Sequence, residues 1–353
     1  MTTMSAPEGE ISVYSSLIGR RIMILCAACL LLAASFIFDI SNGPGNFPMS
    51  KVVEVLWDKA SHGVRMEVII WDFRLPIALT AVLVGAMLAV AGAQMQTILN
   101  NPLAEPFTLG ISTAASFGAA LAIVLGWSLI PGVGHLIVTI NAFLFAFGTC
   151  AFILLATRLK GVSSETIILF GIAIFFVFNA ALAMMQYRAS EDQLSRIVFW
   201  MMGSLTRASW EKIGLGTALL AVVIPICLMR SWQLTALRMG EETARSMGVD
   251  VNRLRAEMLL IISLLAATAV AFVGTVGFVG LVGPHIARMI VGEDQRFFLP
   301  LSALIGALMM SLTSILSKMI TPGVLYPIGI ITALIGVPVF ISVILSTRRD
   351  RLS

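Results

Sequence analysis

Ionisable side chains are scarce in this chain, and those present stand at the edges of its apolar stretches. Between Leu75 and Thr157 the only Asp, Glu, Lys or Arg is Glu105, while Asp39 and Glu165 stand at the ends of other apolar runs. Ionisable groups inside membrane spans are costly and usually serve ion or proton pathways. Their scarcity makes coupling to an ion gradient the weaker hypothesis, although backbone carbonyls can also bind sodium.

Enzymatic chemistry finds little support in the sequence. A phosphate-binding loop of the form G-x-x-x-x-G-K-[ST] needs a Gly-Lys pair, and no lysine here follows a glycine. Cys26 and Cys29 form a C-x-x-C inside an apolar run, with no second cysteine pair and no nearby histidine. Small buried hydrophobic residues are therefore favoured over a metal or redox site. We expect no catalytic residue, no metal site and no cofactor bound by this chain.

The composition indicates an all-α polytopic membrane protein. Of the 353 residues, 58% are hydrophobic and only 12% are charged, whereas soluble domains carry about 25% charged residues. A helix needs about 20 apolar residues to cross a bilayer, and the alternating pattern of a strand barrel is absent. Uncharged runs of suitable length occupy Ile22–Phe38, Leu75–Leu99, Phe107–Gly126, Val133–Ala156, Thr166–Tyr187, Ile213–Met229, Met258–Pro284, Phe297–Ser317 and Pro327–Ser346.

Basic residues predict the topology. Arginines precede the first run and follow the last, at 20, 21, 348, 349 and 351, so the positive-inside rule places both termini in the cytoplasm. We predict a cytoplasmic tail at 1–18, a single membrane domain at 19–347 and a second tail at 348–353. Two cytoplasmic termini require an even number of crossings, whereas nine runs are present.

The long run from 258 to 290 resolves that mismatch. Gly274, Gly277, Gly280 and Gly283 recur in it at every third position. Glycines cost helix stability and let the backbone deviate. We therefore predict a break near Gly274, ten spans in total, and a short second span in this pair.

The polar segment LTALRMGEETARSMGVDVNRLR, residues 234–255, is too polar to span a bilayer. Its periodicity predicts a short amphipathic helix ended by Gly248, with Asp250 or Asn252 capping another helix. Two short helices at the membrane surface would form a rigid docking element, and the alternative is a simple interfacial connector. The candidate docking residues are Leu237, Gly240, Glu241, Glu242, Ala244, Arg245, Met247 and Gly248.

One segment carries a family resemblance. RLPIALTAVLVGAMLAVAGAQMQTILNNPLAEPFTLG at 74–110 resembles the hallmark region of the FecCD-type permeases, the membrane subunits of bacterial ABC importers for iron-siderophores, haem and vitamin B12. Four further segments match in family order: WMMGSL at 200–205, MGEETARSMGV at 239–249, VGFVGLVGPHIAR at 276–288 and PIGIITALIGVPVF at 327–340. The resemblance covers most of the chain after residue 70.

The resemblance implies the type II ABC importer permease fold in the bacterial inner membrane. It implies a second permease subunit, identical or a close paralogue, two ABC ATPase subunits that use ATP and Mg, and a periplasmic or lipid-anchored substrate-binding protein. A ferric siderophore is the expected substrate, with haem or vitamin B12 as alternatives. A gradient-driven secondary transporter is the alternative from another class.

The resemblance also assigns residues. It implies that 234–255 couples to the ATPase, where Glu241 and Glu242 would meet basic groups while Leu237 and Met247 fill an apolar groove. Arg74 and Lys318 match positions that dock the binding protein. This chain departs from the family pattern at Ile77, at Ser314 and in having lysine at 318, so docking could instead use Arg65, Arg188, Arg196 or Arg207. Structural motif positions are Asn101, Pro102, Leu103, Ala104, Glu105, Pro106, Gly274, Gly277, Gly280, Pro284 and His285.

Overall fold

The computed structural model describes residues 8–43, 47–59, 63–132, 134–160, 164–321 and 324–349, and within these ranges it contains helices and irregular connections but no strand. The helices in chain order are α1 (Glu8–Ser41), α2 (Met49–Trp57), α3 (Val64–Val68), α4 (Leu75–Ile98), α5 (Ile111–Leu125), α6 (Ile137–Lys160), α7 (Ser164–Arg188), α8 (Glu191–Met201), α9 (Trp210–Met229), α10 (Ser231–Arg238), α11 (Glu241–Ser246), α12 (Val251–Val273), α13 (Val279–Val291), α14 (Gln295–Met319) and α15 (Ile328–Arg349).

The predicted fold class is confirmed. Among the described residues, seven helical stretches are long and apolar enough to cross a bilayer, and three shorter apolar helices accompany them, namely α5, α13 and part of α15. α1 begins at Glu8 and α15 continues to Arg349, and the predicted domain boundaries stay a prediction. No proline interrupts the sequence between Glu8 and Ser41, so nothing stops the first helix at the membrane surface. Residues 1–7 and 350–353 of the predicted tails lie outside the described residues.

The break predicted near Gly274 is confirmed. α12 ends at Val273, Gly274 has a φ of 90°, and α13 is only 13 residues long with Pro284 inside it. A Cβ at Gly274 would lie 2.3 Å from the Trp200 carbonyl oxygen, so position 274 requires glycine for both conformation and space. The Ser204 amide donates to the Val273 carbonyl at 2.7 Å, which satisfies an acceptor that the helix end leaves open.

α4 is the central helix of the described chain, and most of its residues are buried against α12, α13 and α14. Two glycines allow backbone contact. A Cβ at Gly92 would lie 1.8 Å from the Gly280 carbonyl oxygen in α13, and one at Gly85 would lie 2.2 Å from the Gly306 oxygen in α14. Small residues permit such close approach between helices in lipid.

We predict that Gly92→Ala destabilises the protein by about 1–3 kcal/mol, because the added methyl group overlaps the Gly280 carbonyl and forces α4 from α13. The measurement is the thermal unfolding midpoint of the purified protein. Gly214→Ala in α9 is the control, since no atom lies within 4 Å of its Cβ position, and alanine there should be neutral or stabilise by up to about 1 kcal/mol. Equal effects of the two substitutions would contradict the packing role.

Candidate functional site

The segment between α9 and α12 forms two short helices at the end of the molecule where α4 ends and α12 begins. α10 ends at Arg238, and Gly240, with a φ of 120°, separates it from α11. Gly248, with a φ of 85°, follows α11, and Asp250 caps α12 by accepting a hydrogen bond from the Arg253 amide at 3.0 Å. The predicted helix end and cap are confirmed, while the helix expected across Gly240 is interrupted there.

Arg238, the last residue of α10, joins three segments. Its Nε and Nη2 donate to the two carboxylate oxygens of Glu293 at 3.0 and 2.6 Å, and its Nη1 donates to Asn100 Oδ1 at 2.6 Å. Arg288 Nε lies 2.9 Å from the same carboxylate. We call Arg238, Asn100, Arg288 and Glu293 the Arg238 cluster. A bidentate arginine–carboxylate pair fixes geometry as well as charge, so α10 is held to the residues after α4 and to the α13–α14 turn.

The charge state of the cluster follows from its surroundings. Burial raises the pKa of Glu293, but the hydrogen bond from Arg238 and the charge of Arg288 outweigh it, so the pKa lies below its ordinary value. A carboxylate with a depressed folded-state pKa stabilises the fold above its unfolded pKa, and this stabilisation is lost as the pH falls through the depressed value. Glu293 is therefore ionised at neutral pH, and the cluster keeps its ion pairs.

A second link attaches α11 to α4. Arg255 Nη2 donates to Glu241 Oε2 at 2.8 Å, and Arg255 Nε donates to the carbonyl of Ile98, the last residue of α4, at 3.1 Å. Arg245 Nη2 binds the other oxygen of Glu241 at 2.6 Å. The two short helices are thus connected to Ile98 and Asn100, immediately before the non-helical segment 101–105.

The segment from Asn100 to Gly110 packs against the start of α13. Asn100 has a φ of 48°, Asn101 Oδ1 accepts from the Leu103 amide at 2.9 Å, and a 3-10 turn runs over Pro106–Leu109. A Cβ at Gly280 would lie 3.6 Å from Glu105 Cγ. Since Gly280 also contacts Gly92 in the interior of α4, this segment reaches toward the middle of the helix bundle. Non-helical backbone at that depth is tolerated where it is buried in protein or lines an aqueous cavity.

A cavity of about 660 Å³ lies beside the break between α12 and α13. Met202, Gly277, Leu334 and Val337 contribute to its largely apolar wall. Of the other motif positions, Pro284 is buried inside α13 and His285 is half-buried. The structure therefore places Glu105 beside Gly280 and Gly274 against Trp200, while Gly277 lines the cavity.

The predicted docking face of α10 and α11 is smaller than expected. Leu237 is only 2% exposed and Ala244 is fully buried, so the prediction that Leu237 fills a partner's groove is wrong. Its side chain belongs to the protein's own core. Glu241 is occupied by Arg245 and Arg255 within the chain, while Glu242 and Met247 are exposed. Contact of these two side chains with an ATPase stays a prediction.

Arg74 and Lys318, the residues predicted to dock the binding protein, make buried contacts within the chain, and their docking role stays a prediction. Arg74 is 4% exposed and its Nη1 donates to the carbonyls of Ile40 and Ser41 at 3.0 and 2.9 Å. Lys318 Nζ lies 2.8 Å from Asp39 Oδ1, and both side chains are buried. The last carbonyls of α1 lack donors within their own helix, and these two cations satisfy that end of α1.

The residues that make these contacts, chiefly Arg238, Arg255, Glu293 and Asp39, were not predicted from the sequence. Arg238 and Glu293 are 55 positions apart, and Lys318 and Asp39 are 279 apart. No local spacing pattern joins such pairs. Only an unusual isolated charge at a span end, as at Asp39, gave any signal.

Comparison with known proteins identifies the family of this chain. The model of the FecCD transport family matches residues 30–346. The chain belongs to the FecCD transport family. Proteins of this family act as the transport subunit of ABC importers and work with a separate ATPase.

Relatives within the family carry different named substrates. The molybdate import system permease of Haemophilus influenzae is 35% identical over 90% of this chain and 94% of that protein. The hemin transport system permease of Yersinia pestis is 34% identical over 86% of this chain and 90% of that protein. The vitamin B12 import system permease of Salmonella typhi is 34% identical over 81% of this chain and 86% of that protein.

A solved structure supports the same fold. An inward-facing conformation of a metal-chelate type ABC transporter matches with a TM-score of 0.80 and 32% identity, covering 92% of this chain and 99% of that one. The FecCD permease is therefore an all-helical ABC importer permease of the membrane.

We predict that Lys318→Met destabilises the permease by about 3–5 kcal/mol, because it leaves Asp39 charged and buried without its partner. The double variant Asp39→Asn with Lys318→Met should lose less stability than Lys318→Met alone, since no uncompensated charge remains. Lys51→Met, at an exposed position in α2, is the control and should stay within about 0.5 kcal/mol. Thermal unfolding of the wild type, Lys318→Met, Asp39→Asn and the double variant forms the cycle, and a double variant whose loss of stability equals the sum of the two single losses would contradict the pairing.

Proposed function

We propose that this FecCD permease moves a ferric siderophore across the bacterial inner membrane by alternating access, driven by two separate ATPase subunits. The metal-chelate type of the solved neighbour and the hemin and vitamin B12 relatives support a bulky chelate as cargo. Haem or vitamin B12 import is the second candidate, and the same relatives support it. The end bearing α10 and α11 faces the cytoplasm in this proposal, as the distribution of arginines favours.

The observation that carries the proposal is the attachment of α10 and α11 to the residues before the non-helical segment. Arg238 holds Asn100, and Arg255 holds the Ile98 carbonyl. An ATPase that displaces α10 and α11 would pull directly on the start of this segment, whose far part packs against Gly280. Such a rigid linkage fits a transition in which helices shift against one another as units.

The cavity beside Gly277 suits passage of a large solute. Its wall is mostly apolar, and the described spans place few carboxylates near it. A path with weak contacts lets a bulky chelate leave as well as enter. A second permease subunit, identical or paralogous, would complete that path, and a substrate-binding protein would deliver the chelate to the opposite face.

A gradient-driven carrier is the contrasting class. Asp39, the fully buried carboxylate of α1, is neutralised by Lys318, so it is poorly suited to bind and release a coupling ion. Glu105, in the segment after α4, keeps this alternative open to experiment.

We expect reconstituted permease with its ATPase and binding protein to accumulate a ferric siderophore in vesicles. Uptake should stop when the ATPase loses its catalytic glutamate and should persist when a protonophore collapses the proton gradient. Parallel arms with hemin, cyanocobalamin and molybdate identify the cargo. Accumulation that survives loss of ATP hydrolysis and fails with the protonophore would contradict the ABC mechanism.

We also predict that Arg238→Gln lowers uptake about tenfold while ATP hydrolysis continues, because a charge-assisted link worth about 1.5–3 kcal/mol between α10 and the segment after α4 is lost. The measurement is substrate moved per ATP hydrolysed. Arg238→Lys should recover part of the wild-type ratio of substrate moved per ATP, since lysine keeps the charge but lacks the bidentate fork.

The matched control is Arg253→Gln. Arg253 lies in the same polar segment, its side chain is 76% exposed, and its ion pair is with Glu257 on its own helix. Its ratio should stay at the wild-type value. Equal loss in both variants would show a general effect of charge rather than a specific linkage.

A further inference from the structure

A cavity of about 750 Å³ opens at the end of the permease opposite α10 and α11. Its walls come from the end of α5, the start of α6, α8 and the start of α9. The positive ends of two long helices, α6 and α9, therefore lie at one cavity. Helix N-termini favour negative charge, so the backbone gives this site a preference for an anion.

Side chains reinforce that preference. Arg196, Arg207 and Lys212 line the cavity, against the single carboxylate Glu211. The hydroxyl groups of Ser209 and Thr139 also reach the wall and can donate hydrogen bonds. Three cations, two helix starts and additional hydroxyl donors therefore line one opening.

Arg207 has donor capacity that the protein does not use. Its Nη1 is buried with no hydrogen-bond partner among the described residues. Its Nη2 donates to the Phe199 carbonyl at 3.4 Å, and its guanidinium lies over the Trp200 ring at 5.6 Å. Burial lowers the pKa of Arg207 to about 10, which leaves it charged at neutral pH. Nη1 lies beside Gly274, without accessible surface, so an anion in the cavity would meet the remaining edge of the guanidinium.

The remaining wall distinguishes among anions. Ile123 and Val138 lie on helices that continue into the membrane, and Phe199 and Trp210 are 63% and 46% exposed beside the cations. Tryptophan together with basic residues is typical of the headgroup level of a bilayer. A small soluble anion would use only the charged rim. A phospholipid would pair its phosphate with the cations and lay its acyl chains along the apolar wall.

We propose that this cavity binds the phosphate headgroup of an anionic phospholipid from the surrounding bilayer. The lipid connects α8 to the starts of α6 and α9. Arg207 and Lys212 hold the phosphate, and Arg196 attracts it at the rim. This site does not depend on which solute the permease carries, and its test requires no transport.

The experiment uses the full-length permease in detergent, with dioleoyl phosphatidylglycerol or dioleoyl phosphatidylcholine added, and native mass spectrometry to count retained lipid. We expect the anionic lipid to bind about tenfold more tightly than the zwitterionic one, because both carry the phosphate but the cationic wall repels the choline group of the zwitterionic lipid. The Arg207→Gln, Lys212→Gln double variant should abolish this preference. Arg196→Gln, at an exposed position that the fold does not require, should weaken it severalfold.

Arg65→Gln is the control, because Arg65 is an exposed arginine at the same end but outside the cavity. It should retain the full preference. The proposal is overturned if both lipids bind equally, or if Arg65→Gln and Arg196→Gln have the same effect. It is also overturned if inorganic phosphate at millimolar concentration displaces the anionic lipid completely, because the site would then select a free anion.

Discussion

The contact of α4 with α13 and α14 through glycine backbones is the constraint on which the rest of the permease depends. In lipid, helices gain little from the hydrophobic effect, so their association relies on close van der Waals packing. At Gly92 and Gly85 the neighbouring carbonyls occupy the space of a side chain. α4 is thereby fixed against both partners, and the elements attached to its two ends start from that position.

The two non-helical segments of the bundle can be understood from the same contact. α13 is short because its chain turns at Gly274–Phe278, and α5 is short because residues 99–110 turn before it. Gly280 sits between them, against Gly92 on one side and near Glu105 on the other. Backbone groups exposed by such interruptions need partners or water. The apolar cavity at Gly277 lies beside the interruption between α12 and α13. A solute path at this place would supply water to the backbone groups of that interruption.

The sequence allowed prediction of features that depend on local pattern. Hydropathy and the positive-inside rule predicted ten spans, which correspond to seven long and three shorter apolar helices among the described residues. Glycine spacing predicted the break at Gly274, because both signals act within a few residues. The fate of Arg74 and Lys318 could not be predicted, since their acceptors, Ile40 and Asp39, lie on another helix. A cation at a span end has the same local sequence whether it faces a partner protein or closes a neighbouring helix. Tertiary packing alone separates these outcomes.

The two ends of α4 are held by interactions of different kinds, and this difference bears on motion. At its start, Arg74 meets the last carbonyls of α1, near the Asp39–Lys318 pair, whose side chains are 0% and 4% exposed. Breaking a buried pair leaves a charge without solvent and costs several kcal/mol. At its other end, Glu293 of the Arg238 cluster is 37% exposed, but Arg238 is only 15% exposed, and Arg255, which holds the Ile98 carbonyl, is 5% exposed. The carboxylates of these links reach water, so the links cost less to rearrange than the fully buried pair, while the buried arginines keep α10 and α11 attached to the end of α4. The opposite end of α4 stays fixed to α1 and α14.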